Sequence, residues 1–389
     1  MSRRGRDTSD QRRLLHVFPS FEIGGAQARF ARLAAGLGEA FRHTVISLSG
    51  RDDAVALLGR DAPVDLATTP SAGGGIPGRL GRYRRLLVEQ RPDVLVTYNW
   101  GAIEFALSNL ALGVRHIHIE DGFGPDEAKR QFRRRIWGRR LALAHAEVVV
   151  PSLTLHRIAR EVWRMPPRRL HHIPNGVADG PPAALTDESL SVGQDVQVIW
   201  VGALREEKNP LRLLRAFASA PPAAHLLIVG EGPERGAMVA EAQRLGLGER
   251  CRFLGRRADA RDLMRQCDIL ALSSDTEQMP LVVLEAMEAG LPIASTDVGD
   301  VAHMVAPANR LFVRGRSYRD LASSIAGLAA DAELRARIGR ANRLKVQECY
   351  REVDMVETYR RLFSAAEAPA RSAAAPSDSL ITTQGAGLA

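Results

Sequence analysis

The stretch Ser273-Ser274-Asp275-Thr276-Glu277-Gln278-Met279-Pro280-Leu281-Val282-Val283-Leu284-Glu285-Ala286-Met287 carries the most chemistry in this chain. Pro280 suits the first turn of a helix, where its missing N–H costs nothing, and Gly290, followed by Leu291-Pro292, ends that helix. The free backbone N–H groups of Gln278, Met279 and Leu281, on either side of Pro280, then mark a place where a diphosphate would be stabilised. Glu277 lies on the loop before the helix and Glu285 more than one turn inside it. The two carboxylates therefore bracket an anion site rather than share it. One can accept hydrogen bonds from sugar hydroxyls on one side of a diphosphate, the other from ribose hydroxyls. The plain alternative is a helix-capping acid and a surface glutamate, and spacing alone is compatible with it.

A helix start of this kind needs a strand to hold it. Leu14–Phe18, Thr44–Leu48, Asp93–Thr97, His116–Ile119 and Glu147–Val150 read as buried strands, short and rich in Val and Ile. Between them are helical patterns, such as Ala26, Phe30, Leu33, Ala34 and Leu37 on one face. A second series follows at Val196–Val201, Leu226–Val229, Arg252–Leu254, Ile269–Leu272 and Pro292–Ser295. Alternating units predict an α/β protein of two Rossmann-like, doubly wound domains, with ligands at the carboxyl ends of the strands and a cleft between. The predicted boundaries are a disordered tail at 1–12, a first domain at 13–177, a linker at 178–195, a second domain at 196–348, a crossing helix at 349–365 and a disordered tail at 366–389. The stretch Pro174 to Gln194, with Asn175-Gly176, Gly180, Pro181-Pro182 and Gly193, shows no periodicity and reads as the connection.

Composition bounds the function. At about 150 residues per domain, 389 residues predict two to three domains. The 45% hydrophobic and 25% charged content excludes a disordered or fibrous chain. Cys251, Cys267 and Cys349 are scattered, which excludes a disulfide framework and argues against structural zinc. No run of eighteen apolar residues exists, and Leu14–Phe18 is too short for a signal core, so the expected setting is cytoplasmic. The net charge of +8 suggests nucleic acid, but only three of 53 basic residues are lysine, a skew spread over the whole chain. Nucleic acid is not the expected partner. An anionic membrane or a phosphorylated substrate would use the charge equally well.

With Ala-Met-x-Ala-Gly-x-Pro after it, the Glu-x7-Glu motif resembles the retaining GT-B glycosyltransferases that use nucleotide-diphosphate sugars, the glycosyl transferases group 1. Gly202-Ala203-Leu204-Arg205-Glu206-Glu207-Lys208-Asn209-Pro210 is similar to that family's Gly-x-Leu-x-x-x-Lys segment. Val229-Gly230-Glu231-Gly232-Pro233, Phe253-Leu254-Gly255 and Ile173-Pro174-Asn175-Gly176-Val177 also match, and Tyr350, Met355, Tyr359 and Leu362 resemble its terminal helix, which crosses back to the first domain. The resemblance runs from about Leu14 to Phe363. It implies that Lys208 and Arg205 stabilise the leaving diphosphate, Arg205 standing in for an arginine that relatives carry where this chain has Ala203. It implies that Gly24-Gly25 and Gly202 let backbone approach the donor, that Glu277 meets the transferred sugar and Glu285 the ribose, and that Phe253, Leu254 and Gly255 adjoin the base. A histidine usually follows the fifth strand near the sugar; either His118 or Asp121 takes its place. Asn99-Trp100 should face the acceptor. The family needs no metal or other cofactor.

The implied function is transfer of a hexose from a UDP- or GDP-sugar to a hydroxyl of a growing, lipid-linked glycan. A nucleotide-sugar epimerase of the same fold is the alternative. Gly230-x-Gly232 lacks the third glycine of a dinucleotide fingerprint, since Arg235 stands there, and His118-x-Glu120 lacks the Pro-Cys-x-x-Cys of zinc deaminases. The segment 129–140, with Lys129, Arg130, Arg133, Arg134, Arg135, Arg139 and Arg140 around Phe132, Ile136 and Trp137, reads as a basic amphipathic helix for an anionic membrane surface.

Overall fold

The computed structural model describes residues 11–59, 62–68, 73–123, 127, 131–180 and 195–365. The first domain runs β1 (Arg12–Phe18), α1 (Gly25–Leu37), β2 (Phe41–Ser47), β3 (Val64–Leu66), α2 (Ile76–Gln90), β4 (Val94–Tyr98), α3 (Ile103–Asn109), β5 (His116–Ile119), α4 (Arg133–Ala142), β6 (Glu147–Val150), α5 (Leu153–Glu161) and β7 (Leu170–His172). Its strands pair in the order β3-β2-β1-β4-β5-β6-β7, all parallel. The second domain follows as β8 (Val196–Val201), α6 (Pro210–Phe217), β9 (Ala224–Val229), α7 (Arg235–Arg244), β10 (Cys251–Gly255), α8 (Ala260–Met264), β11 (Ile269–Leu272), α9 (Leu281–Glu288), β12 (Ile293–Thr296), α10 (Val301–Met304), β13 (Val313–Arg314), α11 (Tyr318–Ala329) and α12 (Ala332–Cys349). Its strand order is β10-β9-β8-β11-β12-β13. The order reverses between β1 and β4 and between β8 and β11, so each domain opens a crevice at the carboxyl ends of those strands.

Burial on both faces explains the continuous apolar runs. Along β8, Val198 and Trp200 pack into one core layer and Ile199 into the other. On α1 the buried set includes Phe30, Leu33, Ala34 and Leu37, as the helical period predicts. Strands β3, β7 and β13 are only two or three residues long, too short for alternation or composition to separate from their flanks.

The expected tails 1–12 and 366–389 lie outside the described residues except at Gln11 and Arg12, and there the boundary moves, because Arg12 already pairs with Phe41 in the sheet. Residues 181–194 of the expected linker also lie outside them. The part that precedes them is packed, not free. Val177 accepts from Glu352 N at 3.1 Å and donates to Tyr350 O at 2.9 Å. A Cβ on Gly176 would stand 2.7 Å from Glu352 Cα, so only glycine lets the two crossing strands of chain touch. Beyond that contact α13 (Glu352–Ser364) lays Met355, Val356, Tyr359, Leu362 and Phe363 into the core of the first domain, beside Leu14, Phe30 and Val94.

Candidate active site

The two crevices face one another across a cleft of about 580 Å³. On the second-domain side, Asn209 sits in the left-handed region (φ 42°), caps α6 by accepting from Arg212 N at 3.2 Å, and hands the first helical position to Pro210. That turn aims Lys208 at Glu277, Nζ to Oε1 2.5 Å. Ser274 Oγ donates to the same oxygen at 2.7 Å, and Ser273 Oγ donates to Lys208 O at 2.8 Å. Gly299 (φ 54°) lies against the loop, where a Cβ would be 2.5 Å from the carbonyl oxygens of both Glu277 and Gln278. Pro280 is the extended N-cap of α9, which ends at Gly290 in the left-handed region. Gly230 (φ 147°) passes Gly202 so closely that a Cβ would meet its carbonyl oxygen at 1.8 Å. Backbone alone forms that part of the floor.

The first-domain wall begins at Gly24, the N-cap of α1, and Gly25, whose Cβ position lies 3.9 Å from Leu281 Cδ1 across the cleft. One turn on, Arg29 is buried with its guanidinium on both oxygens of Asp121 and, at 3.1 Å, on Asn175 Oδ1. Burial works against its charge, but Asp121 outweighs it and raises the pKa above the usual arginine value. Asn175 Nδ2 donates to Met279 O at 2.8 Å, joining this network to the start of α9. Arg32 Nη2 donates to Glu285 Oε1, with Nε 3.7 Å from Glu352. Sequence reading missed Arg29 and Arg32. Their signal was the i, i+3 spacing that follows Gly24-Gly25 and puts two cations on the helix face beside that turn.

Gly24, Gly25, Gly202, Arg205, Lys208, Glu277, Gln278, Met279, Pro280, Leu281, Glu285 and Asp121 all line the cleft. Other expected site residues do not. His118 is buried in the sheet, between Thr97 Oγ1 at 2.8 Å and Glu120 Oε2 at 3.3 Å, so of the two registers Asp121 is the one at the cleft. Trp100 turns to α4, stacked against the guanidinium of Arg139 (5.0 Å to the ring centroid), where a Cβ on Gly138 would meet it at 2.7 Å. Asn99 (φ 55°) supports Asp121 from behind, its Oδ1 accepting from Asp121 N at 2.7 Å. Phe253 and Leu254 pack into the two cores, and Gly255 accepts from Gly230 N at 2.7 Å. The cleft wall there is Glu231, Arg256 and Arg257 instead.

The basic segment is also redrawn. Lys129 and Arg130 lie outside the described residues. Arg139 points inward, fully buried among Trp100, Phe123 and Trp163 and paired with Glu120 at 3.1 Å and Glu127 at 3.4 Å. Arg135 pairs with Glu127 at 3.1 Å. Ile136 and Leu143 pack inward, and Phe132, Arg133, Arg134, Trp137 and Leu141 form the exposed side. Among the described residues no helix is long and apolar enough to cross a membrane, and no group of three His, Cys, Asp or Glu side chains is arranged to hold a metal.

Two doubly wound domains facing across such a cleft are the GT-B architecture. Residues 184–345 match the family model of glycosyl transferases group 1, and residues 23–179 that of glycosyltransferase family 4. Between them the two models cover most of the chain, and both describe glycosyltransferases. It is 28% identical over 169 residues to N-acetyl-alpha-D-glucosaminyl L-malate synthase of Bacillus anthracis, covering 43% of this chain and 44% of that one. It is 29% identical over 184 residues to the lipopolysaccharide core biosynthesis glycosyltransferase LpsE of Rhizobium meliloti, covering 47% and 53%. The chain thus spans about half the length of these curated relatives, at 44% and 53%. Among solved structures, Anabaena HepE in complex with UDP and glucose is similar with a TM-score of 0.78 at 20% identity, over 91% of this chain and 100% of that one, a likeness of fold.

Proposed function

We propose that this chain is a retaining hexosyltransferase that moves a sugar from a UDP- or GDP-sugar to a hydroxyl of a growing, lipid-linked glycan. The observation that carries the reading is the Lys208–Glu277 pair beside the N-terminus of α9, in a cleft whose other wall is the Gly24-Gly25 turn. The bond from the anomeric carbon to the diphosphate breaks with its electron pair left on the phosphate. The acceptor oxygen bonds to the same face, and its proton passes to the departing phosphate oxygen. Lys208, Arg205 and the α9 N-terminus meet the charge that develops, so the proposed step draws on no metal or other cofactor. Glu277 orients the sugar and Glu285 the ribose.

HepE's complex with UDP and glucose supports a UDP-sugar donor, and the name of LpsE supports a glycan acceptor. Among the described residues that line the cleft none is histidine, which counts against an epimerase needing acid–base side chains around the sugar. A bound donor raises the melting temperature by mass action. UDP, GDP and their sugars should separate in a thermal-shift screen, and NMR of the product should show the donor's anomeric configuration kept. Inversion, or no shift with any nucleotide, would sink the reading.

Exposed Trp137 and Leu141 among Arg133 and Arg134 support contact with an anionic membrane, consistent with a cytoplasmic enzyme peripheral to the inner face. Sedimentation with anionic liposomes should fall with salt and on changing Arg133 and Arg134 to Glu. Unchanged sedimentation would remove the membrane role and leave the transfer reading intact.

A further inference from the structure

A second cavity, of about 220 Å³, lies across the Glu277–Gln278 wall from the donor cleft. Phe123, Gln131, Thr154 and Ile158 close it from the first domain, and Asp275, Thr276, Gly299 and Arg316 from the second. We propose that this cavity receives the acceptor, and that the acceptor carries an anionic group, phosphate or carboxylate, bound by Arg316. The inference rests on the transferase reading and deepens it by naming the acceptor's chemistry.

The shared wall is the first argument. Glu277 and Gln278 line both cavities, so a molecule here meets a donor sugar at Glu277. The loop between the two is stiff, because Gly299 lies under both carbonyls and Asp300 N donates to Gln278 O at 2.8 Å. The other walls are held as firmly. Gln131 Oε1 accepts from Trp163 Nε1 at 2.7 Å, Thr154 Oγ1 donates to Asp300 Oδ1 at 2.7 Å, and the Phe123 ring stands edge-on to Trp163. Phe123 and Ile158 give a compact ligand an apolar side on which to rest its C–H face. The volume is below the 300–1,000 Å³ usual for small-molecule sites. It suits one ring or chain end rather than an oligomer.

Charge supplies the second argument. Three carboxylates line the cavity: Glu127, with Arg135 at 3.1 Å, and Asp275, with Arg212 at 2.6 Å, keep cations that do not line the donor cleft, whereas Glu277, with Lys208 at 2.5 Å in the free protein, turns to the donor sugar when a diphosphate claims Lys208. Arg316 is different. Its Nε donates to Asp297 O at 3.4 Å, and among the described residues it makes no ion pair. An exposed guanidinium at the rim of a cavity where Glu127 and Asp275 are already paired leaves its Nη fork for a planar or tetrahedral anion.

The test uses the full chain saturated with UDP, so that the donor cleft's cations are occupied. Wild type and Arg316→Gln are titrated calorimetrically with glucose 6-phosphate and with glucose. They are also sedimented with phosphatidylcholine vesicles with and without phosphatidylinositol 4-phosphate. Wild type should bind the phosphate form at least ten times more tightly than its neutral counterpart on one arm or both. Arg316→Gln should abolish that preference with UDP affinity and melting temperature unchanged. Loss confined to the soluble arm assigns a free phosphorylated polyol, and loss confined to the vesicle arm assigns a lipid-borne phosphate. Equal phosphate binding by Arg316→Gln and wild type on both arms overturns the inference. Failure of wild type to bind UDP would instead strike the transferase reading.

Discussion

Lys208 and Glu277 are opposite charges 2.5 Å apart, and in the free protein each holds the other in place. A donor diphosphate would compete for Lys208 and release Glu277 toward the sugar. A cation acting on charge that develops in the transition state lowers kcat more than it raises KM. Lys208→Ala should therefore cost about a hundredfold or more in kcat with KM near wild type, read from steady-state rates. An unchanged kcat would hand the role to Arg205 or Arg29. The Lys208-Asn209-Pro210 turn was legible because its chemistry is local: a cap, a proline and a charge in consecutive positions. Arg29 was not legible, since what buries it stands 92 and 146 positions away, at Asp121 and Asn175. Removing one partner of a buried pair leaves the other's charge uncompensated. Arg29→Ala should cost about 3–5 kcal/mol of stability, and Asp121→Asn less, by urea unfolding. A loss of under about 1 kcal/mol would mean that water already reaches Asp121.

Among the elements, the strands of the first sheet hide what their apolar pattern does not announce. His16 on β1 bonds His43 on β2 at 2.9 Å and Tyr98 on β4 at 3.0 Å, while His116 on β5 bonds Thr97 on β4 at 2.8 Å. Short apolar runs rich in Val and Ile marked these strands as buried, but such runs say nothing of imidazoles that find their partners on neighbouring strands. Burial pushes His43 down to about 4, from an ordinary 6.5. Burial, then its neighbour His118, brings His116 to about 3. Between those values and 6.5 the unfolded chain binds more protons than the folded one, so stability rises with pH in that window. It is complete above about 6.5 and is lost as pH falls toward 4. Urea midpoints should drop from pH 7 to pH 5, with the imidazole signals of folded His43 and His116 still neutral at pH 5. A flat profile over that range would show that the buried imidazoles are solvated or already charged.

At the scale of the molecule, two sheets built alike become one site only where the domains touch, and those contacts join residues far apart in the chain. The apolar runs foretold five strands of each sheet. They carried no word of Arg32, whose partner Glu285 is 253 positions away. Asp300 of the second domain accepts from the N–H groups of Leu153 and Thr154 at 2.6 and 3.1 Å, fastening the start of α5 and complementing its dipole. Arg32 does the equivalent on the other flank, tying α1 to α9 through Glu285 and lying beside Glu352 at the head of α13. It engages Oε1 of a carboxylate that lines the cleft, so it fixes how Glu285 is presented without reaching the Lys208–Glu277 centre. Removing it should loosen donor binding rather than slow the chemical step. The pair is partly exposed, which limits its worth to about 1 kcal/mol, or about fivefold in affinity. Arg32→Met should raise the donor KM and the UDP dissociation constant by about that factor with kcat unchanged. Glu352→Gln, which leaves the bond to Glu285 intact, should do less. A fall in kcat at constant KM would place Arg32 among the groups acting on the transition state, and the clasp between the domains would then lie with Asp300, Asn175 and α13.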